Sequence, residues 1–354
     1  MATLPEPIHS VAAKVYDYWL QRGDSEPVRG YLGASIIGGS CDRALWYGFR
    51  FCSPRQFDGR IYRLFERGRN EEEIVFEELR AIGVDVRPFD ADGKQWGISA
   101  VAGHFRGHLD AAVLGTPYSK THWSCLEVKT HSTKSFDELV KVGVQAAKPE
   151  HFAQMQIYMG HTGMERAMYY AVCKNDDRIH TEWLHFDQTE FDKIMQRAER
   201  VITAAEPPIK LREDPTYYIC KMCDHAAVCH GTQAPEVSCR SCAHSTPETD
   251  EKWNGAGVWT CSCGTDKALV TLPIDHQRTG CDSHRYIPIL LDKWAEYMGT
   301  PDGENPEYRN KLTGKSFTNG DYSSQEIHAC QDKRAIGNAD VNALRSAFGA
   351  KVAA

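Results

Sequence analysis

Residues 104–130 constrain this chain more than any other stretch. Two strand-like runs, one through Leu109-Asp110-Ala111-Ala112-Val113-Leu114 and one through Trp123-Ser-Cys-Leu-Glu-Val-Lys-Thr130, flank the segment Gly-Thr-Pro-Tyr-Ser-Lys-Thr. Gly, Pro and Ser mark a turn there, so the stretch reads as an antiparallel hairpin. Folded symmetrically about residues 118 and 119, it sets Asp110 opposite Glu127. Carboxylates that face each other across a strand pair repel. The period of two along a strand also places Lys129 on the Glu127 face. Two acids and one lysine therefore gather beside Ala112 and Cys125, and a divalent cation would relieve the surplus negative charge.

A third acid comes from upstream. Residues 61–82 carry Ile61, Leu64, Phe65, Val75, Phe76 and Leu79 at helical spacing. Glu72 falls on the stripe of Phe65, Gly68, Val75 and Phe76, facing the core, where an unpartnered carboxylate is costly. Glu71 and Glu73 point elsewhere, into solvent. For each acid singly, the plainer reading is an ordinary ion pair with a lysine or arginine. Three acids and a lysine in a D-x16-E-x-K frame are harder to reach by that route.

The surroundings read as a mixed α/β core. Helical patterns at 8–21, 40–50, 135–147, 150–161 and 187–204 alternate with strand-like runs at 84–89, 95–101, 104–114, 123–130, 166–174 and 178–185. Pro207, Pro208 and Pro215 close this region. From Gly299 the chain turns polar and rich in Gly and Asn, with one short helical pattern near 339–349, and reads as a loosely ordered tail. No run approaches the roughly 18 apolar residues of a membrane span, and the first residues lack the pattern of a signal peptide. A net charge of -7 excludes a globally basic nucleic-acid binder but not a local basic groove. The run Gly33-Ala-Ser-Ile-Ile-Gly-Gly-Ser40 has phosphate-loop spacing, yet Gly39 stands where the lysine belongs, so nucleotide binding is rejected there.

Asp110, Glu127 and Lys129 match the D…(D/E)-x-K motif of the PD-(D/E)XK nuclease superfamily, with Leu109 in the motif's proline position. Arg67-Gly68-x-x-x-Glu72 resembles the acid-bearing helix of its lambda-exonuclease-like and RecB-like branches. Gln154-Met-Gln-Ile-Tyr158 resembles the Q-x-x-x-Y motif of the same branches. The match spans roughly residues 60–160. The resemblance implies a nuclease in which Glu72, Asp110, Glu127 and the Val128 carbonyl hold one or two Mg²⁺ or Mn²⁺ ions through oxygen ligands. Lys129 would orient the attacking water or neutralise charge on the phosphate. Gln154, Tyr158 and Lys134 would contact the DNA backbone, with a helix amide and a core tyrosine as the plainer reading of the first two.

Thirteen cysteines in 354 residues are too few for a disulfide scaffold, and eight of them crowd between Cys220 and Cys281. Without a secretory signal, such clustering reads as metal ligation. Cys220-x2-Cys223-x5-Cys229 needs a fourth ligand, and Cys41 begins a helix near the N-terminus. That arrangement resembles the iron–sulfur nucleases of the RecB-like group, including CRISPR-associated adaptation exonucleases. It implies a [4Fe–4S] cluster on Cys41, Cys220, Cys223 and Cys229, with zinc at the same thiols as the competitor. A second set has the spacing of a structural zinc site: Cys239, Cys242 and Cys261, completed by Cys281, His284 or both, with Cys263 and His244 outside it.

The expected fold class is thus α/β, a PD-(D/E)XK nuclease core with a mixed central sheet flanked by helices, plus a small Cys-rich zinc-binding module. The expected domains are an iron–sulfur nuclease domain over 1–232, the zinc module over 233–298 and the polar tail over 299–354. The expected activity is metal-dependent hydrolysis of DNA phosphodiester bonds. By resemblance this is an exonuclease of recombination, repair or phage DNA processing, in the cytoplasm of a bacterial or phage-infected cell. Its partners would be single-stranded DNA or duplex ends and a recombination or replication protein, with no membrane. The alternatives are a non-cleaving nucleic-acid-binding protein and an interaction subunit of a larger helicase–nuclease or CRISPR-adaptation complex that retains the fold.

Overall fold

The computed structural model of the chain describes residues 10–27, 29–54, 57–253, 255–263 and 269–352. Residues 8 and 9 of the expected first helix and the last two of the expected tail lie outside the described residues. Helix α1 covers Val11–Asp24, strand β1 Leu32–Gly33 and helix α2 Asp42–Phe49. Helix α3, Gly59–Ala81, starts where the Asp58 carboxylate accepts a hydrogen bond from the Ile61 N–H at 2.8 Å. Strands β2 (Asp85–Arg87), β3 (Gly97–Ala100), β4 (Phe105–His108), β5 (Ala111–Leu114) and β6 (Ser124–His131) follow. Helices α4 (Thr133–Ala147) and α5 (Pro149–Thr162) lead to β7 (Arg166–Cys173), β8 (Ile179–His185) and helix α6 (Gln188–Thr203).

The central sheet has the order β2-β5-β6-β7-β8. Only β6 and β7 run parallel, joined by the crossover through α4 and α5, so the sheet is mixed. Its two faces are covered separately. Leu126, Val128, Met168, Tyr170 and Val172 pack under Val75, Phe76 and Leu79 of α3. Cys125, Ala167, Tyr169 and Ala171 join the larger core with α5 and α6. With both faces covered, β7 reads as an unbroken buried run rather than an alternating one. A smaller sheet of order β1-β4-β3 lies alongside. The run expected as one strand over 104–114 is therefore two strands in two sheets, and the break falls at Leu109 and Asp110.

Two further corrections concern packing. Leu64 and Phe65, expected on the core face of α3, are 38% and 43% exposed, because the buried stripe begins only at Val75. The segment beyond Gly299 is folded rather than loosely ordered. Short helices α7 (Tyr218–Lys221) and α8 (Ala226–Cys229) precede a sheet of β9 (Ser245–Pro247), β10 (Trp259–Cys261) and β11 (Val270–Thr271). A last sheet of β12 (Ala295–Gly299), β13 (Glu307–Asn310) and β14 (Ser316–Thr318) is followed by α9 (Ser324–Ala329) and α10 (Ala339–Phe348). Tyr286, Leu291 and Ala295 share one hydrophobic cluster with Tyr308, Phe317, Tyr322, Ile327 and Ile336. That cluster bridges the boundary expected at 298. Among the described residues, no helix is long and apolar enough to cross a membrane.

Candidate active site

The hairpin fixes the site's geometry. Ala111 pairs with Leu126, Ala112 with Cys125 and Val113 with Ser124, and one further step along this register places Asp110 opposite Glu127. Asp110 itself sits at the break between the two sheets, where the preceding Leu109 N–H donates to the Trp96 carbonyl at 2.9 Å. Its Oδ2 accepts a hydrogen bond from the Val128 N–H at 2.8 Å, which ties the carboxylate to β6. Glu127 is fully buried. Its Oε1 pairs with Lys129 Nζ, while its Oε2 has no hydrogen-bond partner among the described residues. Buried polar atoms are almost always satisfied, so an orphaned carboxylate oxygen points to a ligand.

Half-buried Glu72 brings its charge to the same place from α3. Burial first, then Asp110, pushes the Glu72 carboxyl up to about 7, against the pull of Lys129. Glu127 is pushed up to about 8 by burial and then by Asp110. Burial also raises Asp110, opposed by Lys129 and by the Val128 N–H. Burial alone would lower the Lys129 ammonium, but Glu127, Asp110 and Glu72 outweigh it and hold the group above its ordinary value. Three acids thus share one cation in a poorly solvated space, where like charges interact strongly. Without further positive charge the carboxyls retain protons. Carboxylate oxygens are hard donors of the kind that Mg²⁺ or Mn²⁺ takes.

Gln154 and Tyr158 are brought to this site, but not as backbone contacts. They are 4% and 2% exposed, and Gln154 Nε2 donates to the Tyr158 hydroxyl at 3.0 Å. Every residue from Ala153 to Met159 on α5 is buried, so neither side chain presents itself to a nucleic acid. Tyr158 is packed behind the acids instead. Burial raises its hydroxyl pKa first and Glu127 next. A Cβ at Gly107 would lie 2.8 Å from the Tyr158 ring, so that glycine permits the close approach. Lys134 is exposed in the first turn of α4.

No protein-family model matches this sequence, and no curated protein matches it. Solved structures give partial likenesses. The complex of LHK-Exo with dAMP aligns at TM-score 0.37 and 16% identity, over 53% of this chain and 90% of that one. The alkaline exonuclease LHK-Exo from Laribacter hongkongensis aligns at TM-score 0.35 and 18% identity, over 52% of this chain and 90% of that one. SSO0001 aligns at TM-score 0.37 and 15% identity, over 62% and 96%. Likenesses of this size carry no weight for function, which rests on the side chains themselves.

One part of the site escapes sequence reading. Tyr169 lies beside Glu127 in the β6–β7 register. Its hydroxyl stands 2.8 Å from His131 Nε2 and 2.7 Å from His151 Nδ1, while His131 Nδ1 lies 3.0 Å from Ser135 Oγ. Burial, then neighbouring lysines, lowers His131 to about 4 and His151 to about 3. Both rings are therefore neutral, and the tyrosine hydroxyl donates to one and accepts from the other. The period of two that links Glu127 to Lys129 leads on to His131. Nothing local marks His151 or Tyr169.

The cysteines converge in two places. Cys41, at the start of α2, lines one cavity with Cys220, Cys223 and Cys229, flanked by Arg43, Lys210 and Arg212. Burial raises the Cys229 thiol, while Arg43 and Lys210 favour its thiolate. Farther along, Cys261 and Cys263 sulfurs lie 3.1 Å apart. Burial raises the Cys239 thiol first, with Cys281 and Cys263 adding to it, and burial raises Cys242 to about 12, with Cys261 and Cys281 adding to it. Cys263, expected outside the set, is thus drawn into it. His284, a candidate for the same set, is buried, with Nε2 3.1 Å from Ser241 Oγ, its ring edge-on to Tyr286 and its Nδ1 without a hydrogen-bond partner among the described residues. Among the described residues, no three His, Cys, Asp or Glu side chains already stand at metal-holding spacing.

Proposed function

We propose that this chain is a metal-dependent deoxyribonuclease that hydrolyses phosphodiester bonds, working as an exonuclease in recombination, repair or phage DNA processing. The observation that carries the reading is the meeting of Glu72, Asp110, Glu127 and Lys129, with one fully buried carboxylate oxygen left without a partner. Glu72, Asp110 and Glu127, with the Val128 carbonyl, would hold one or two Mg²⁺ or Mn²⁺ ions. A bound ion polarises the scissile phosphate and lowers the pKa of an attacking water. Lys129, kept protonated by its acidic neighbours, places a fixed positive charge where the phosphate gains negative charge. Asp110 is anchored by the Val128 N–H, so its second oxygen is oriented without reorganisation during the reaction. Tyr158 and Gln154 brace the floor of the site.

The cysteine sets take structural roles in this reading. Cys41, Cys220, Cys223 and Cys229 would hold a [4Fe–4S] cluster whose negative charge Arg43, Lys210 and Arg212 offset, stapling the N-terminal helices to the segment after α6. Cys239, Cys242 and Cys261, with Cys281, His284 or Cys263 taking the fourth place, would hold Zn²⁺. The test of the catalytic reading is a time course with 5′- and 3′-end-labelled single- and double-stranded DNA in Mn²⁺ and in EDTA. Mn²⁺-dependent loss of label with a polarity supports it. Intact substrate in every arm, with well-folded and metal-replete protein, overturns it.

A further inference from the structure

Away from the carboxylates, arginines and aromatic rings line two adjoining cavities that share Tyr31 and Arg240. Arg29 and Arg106 both lie over the Tyr31 ring, at 5.5 and 5.8 Å from its centroid. Gly33, which pairs with Arg106 across β1 and β4, leaves room for the first: a Cβ there would stand 3.1 Å from the Arg29 guanidinium. Arg106 donates to the Gly103 carbonyl at 2.8 Å, and neither arginine pairs with a carboxylate among the described residues. Beneath them, Arg240 is 1% exposed. It donates to the Gln277 side chain and to the carbonyls of Phe49 and Gly30, with no acid partner among the described residues. Its guanidinium stacks over Phe51 at 4.2 Å, and Arg278 covers the same ring at 4.9 Å. The chain is acidic overall, and Asp224 and Glu236 line the second cavity with the arginines, yet Arg29 and Arg106 meet over Tyr31 with no carboxylate paired to either among the described residues. Two cations over one ring repel as two opposed carboxylates do, and an anion between them relieves it.

Strand β4, which carries Arg106, runs on toward the acids. Arg106 and His108 alternate along β4, and Asp110 follows two residues later. Fully extended, that stretch places Arg106 within about 13 Å of Asp110. Guanidinium groups set beside aromatic rings offer N–H edges for phosphates, and the rings offer a stacking surface for unpaired bases.

We propose that this groove binds single-stranded nucleic acid and leads it to the carboxylate site, with Arg29 and Arg106 holding phosphates and the Tyr31 and Phe51 stacks carrying bases. The inference rests on the nuclease reading for what happens at the end of the path, and binding can be tested apart from cleavage. A fluorescein-labelled oligothymidylate of roughly 15 nucleotides is titrated by anisotropy in EDTA across a salt series. The full chain is used as wild type, Arg29→Glu, Arg106→Gln, the double variant, and Arg309→Glu as a remote charge control on β13. Circular dichroism checks each fold. Wild type and the remote control are expected to bind alike. The double variant should bind at least about tenfold more weakly, with a log–log salt slope shallower by about 1.4, the value for two lost single-strand phosphate contacts. Unchanged affinity and slope in the folded double variant overturn the groove and leave the nuclease reading standing. Tighter binding of a blunt duplex, equally sensitive to the two arginines, overturns the single-strand assignment. Groove-dependent binding without cleavage in Mn²⁺ supports the groove and removes the nuclease reading.

Discussion

Adding Mn²⁺ to the metal-free protein at pH 7 is expected to release protons. The metal takes carboxylates, whereas burial and mutual repulsion hold Glu127 up to about 8 and Glu72 up to about 7. At pH 7 these acids, titrating as one coupled set, retain much of their protonation, so binding displaces about one to two protons. Asp110, also raised, adds to that number. At pH 9 the same two groups are almost fully ionised and the release falls to roughly 0.1. The apparent affinity should therefore climb about ten- to a hundredfold per pH unit near pH 7 and level off above pH 9. Calorimetry in two buffers of different ionisation enthalpy reads the proton count directly. A binding heat independent of the buffer at pH 7, with affinity flat between pH 7 and 9, would refute the reasoning that these acids share too little positive charge.

The same groups set the stability of the metal-free chain. A carboxyl whose folded pKa is raised stabilises fully below its ordinary value near 4.5 and loses that contribution as pH rises through the folded value, here about 7 for Glu72 and about 8 for Glu127. Thermal melts in EDTA should fall from pH 5 to pH 8, and Glu127→Gln should flatten the decline. Gly107→Ala is expected to cost about 1–3 kcal/mol, because the new Cβ meets Tyr158 at 2.8 Å and Ala34 at 2.7 Å. Denaturant unfolding checks this, and an unchanged midpoint would mean that Tyr158 does not sit against β4. Metal analysis separates the cysteine roles. Anaerobically purified protein should be brown, with iron and acid-labile sulfide that Cys223→Ser removes. Zinc should fall in Cys242→Ser and in Cys261→Ser, and a colourless preparation containing zinc alone would contradict the cluster.

The hairpin was legible because its strands pair symmetrically about the middle of the connection 115–123. Once residues 118 and 119 are taken as its centre, Asp110 must face Glu127, and the observed pairs obey that sum. Helix α3 was legible from Val75, Phe76 and Leu79, but the pattern does not say where the sheet beneath it ends, so Phe65 was placed inside although it is exposed. Gln154 and Tyr158 share a helical face, yet α5 is buried nearly all round, and periodicity cannot tell an inner face from an outer one there. The Tyr169 relay joins residues from three separate elements and left no local trace. The C-terminal region looked too polar for a core because Tyr308, Phe317, Tyr322 and Ile327 are spread through turns rather than spaced on one face. Cys263 is expected outside the zinc set, yet alternation along the chain at β10 brings its sulfur beside that of Cys261.

The central claim is that Glu72, Asp110, Glu127 and Lys129 form a hydrolytic centre. Its most direct measurement compares release of nucleotides from labelled linear DNA in Mn²⁺ by wild type, Asp110→Asn and Lys129→Met, prepared identically and matched for folding and metal content in the cysteine sites. The account predicts degradation by wild type and none above background by either variant. Equal rates in all three proteins, or no degradation by any, would contradict it.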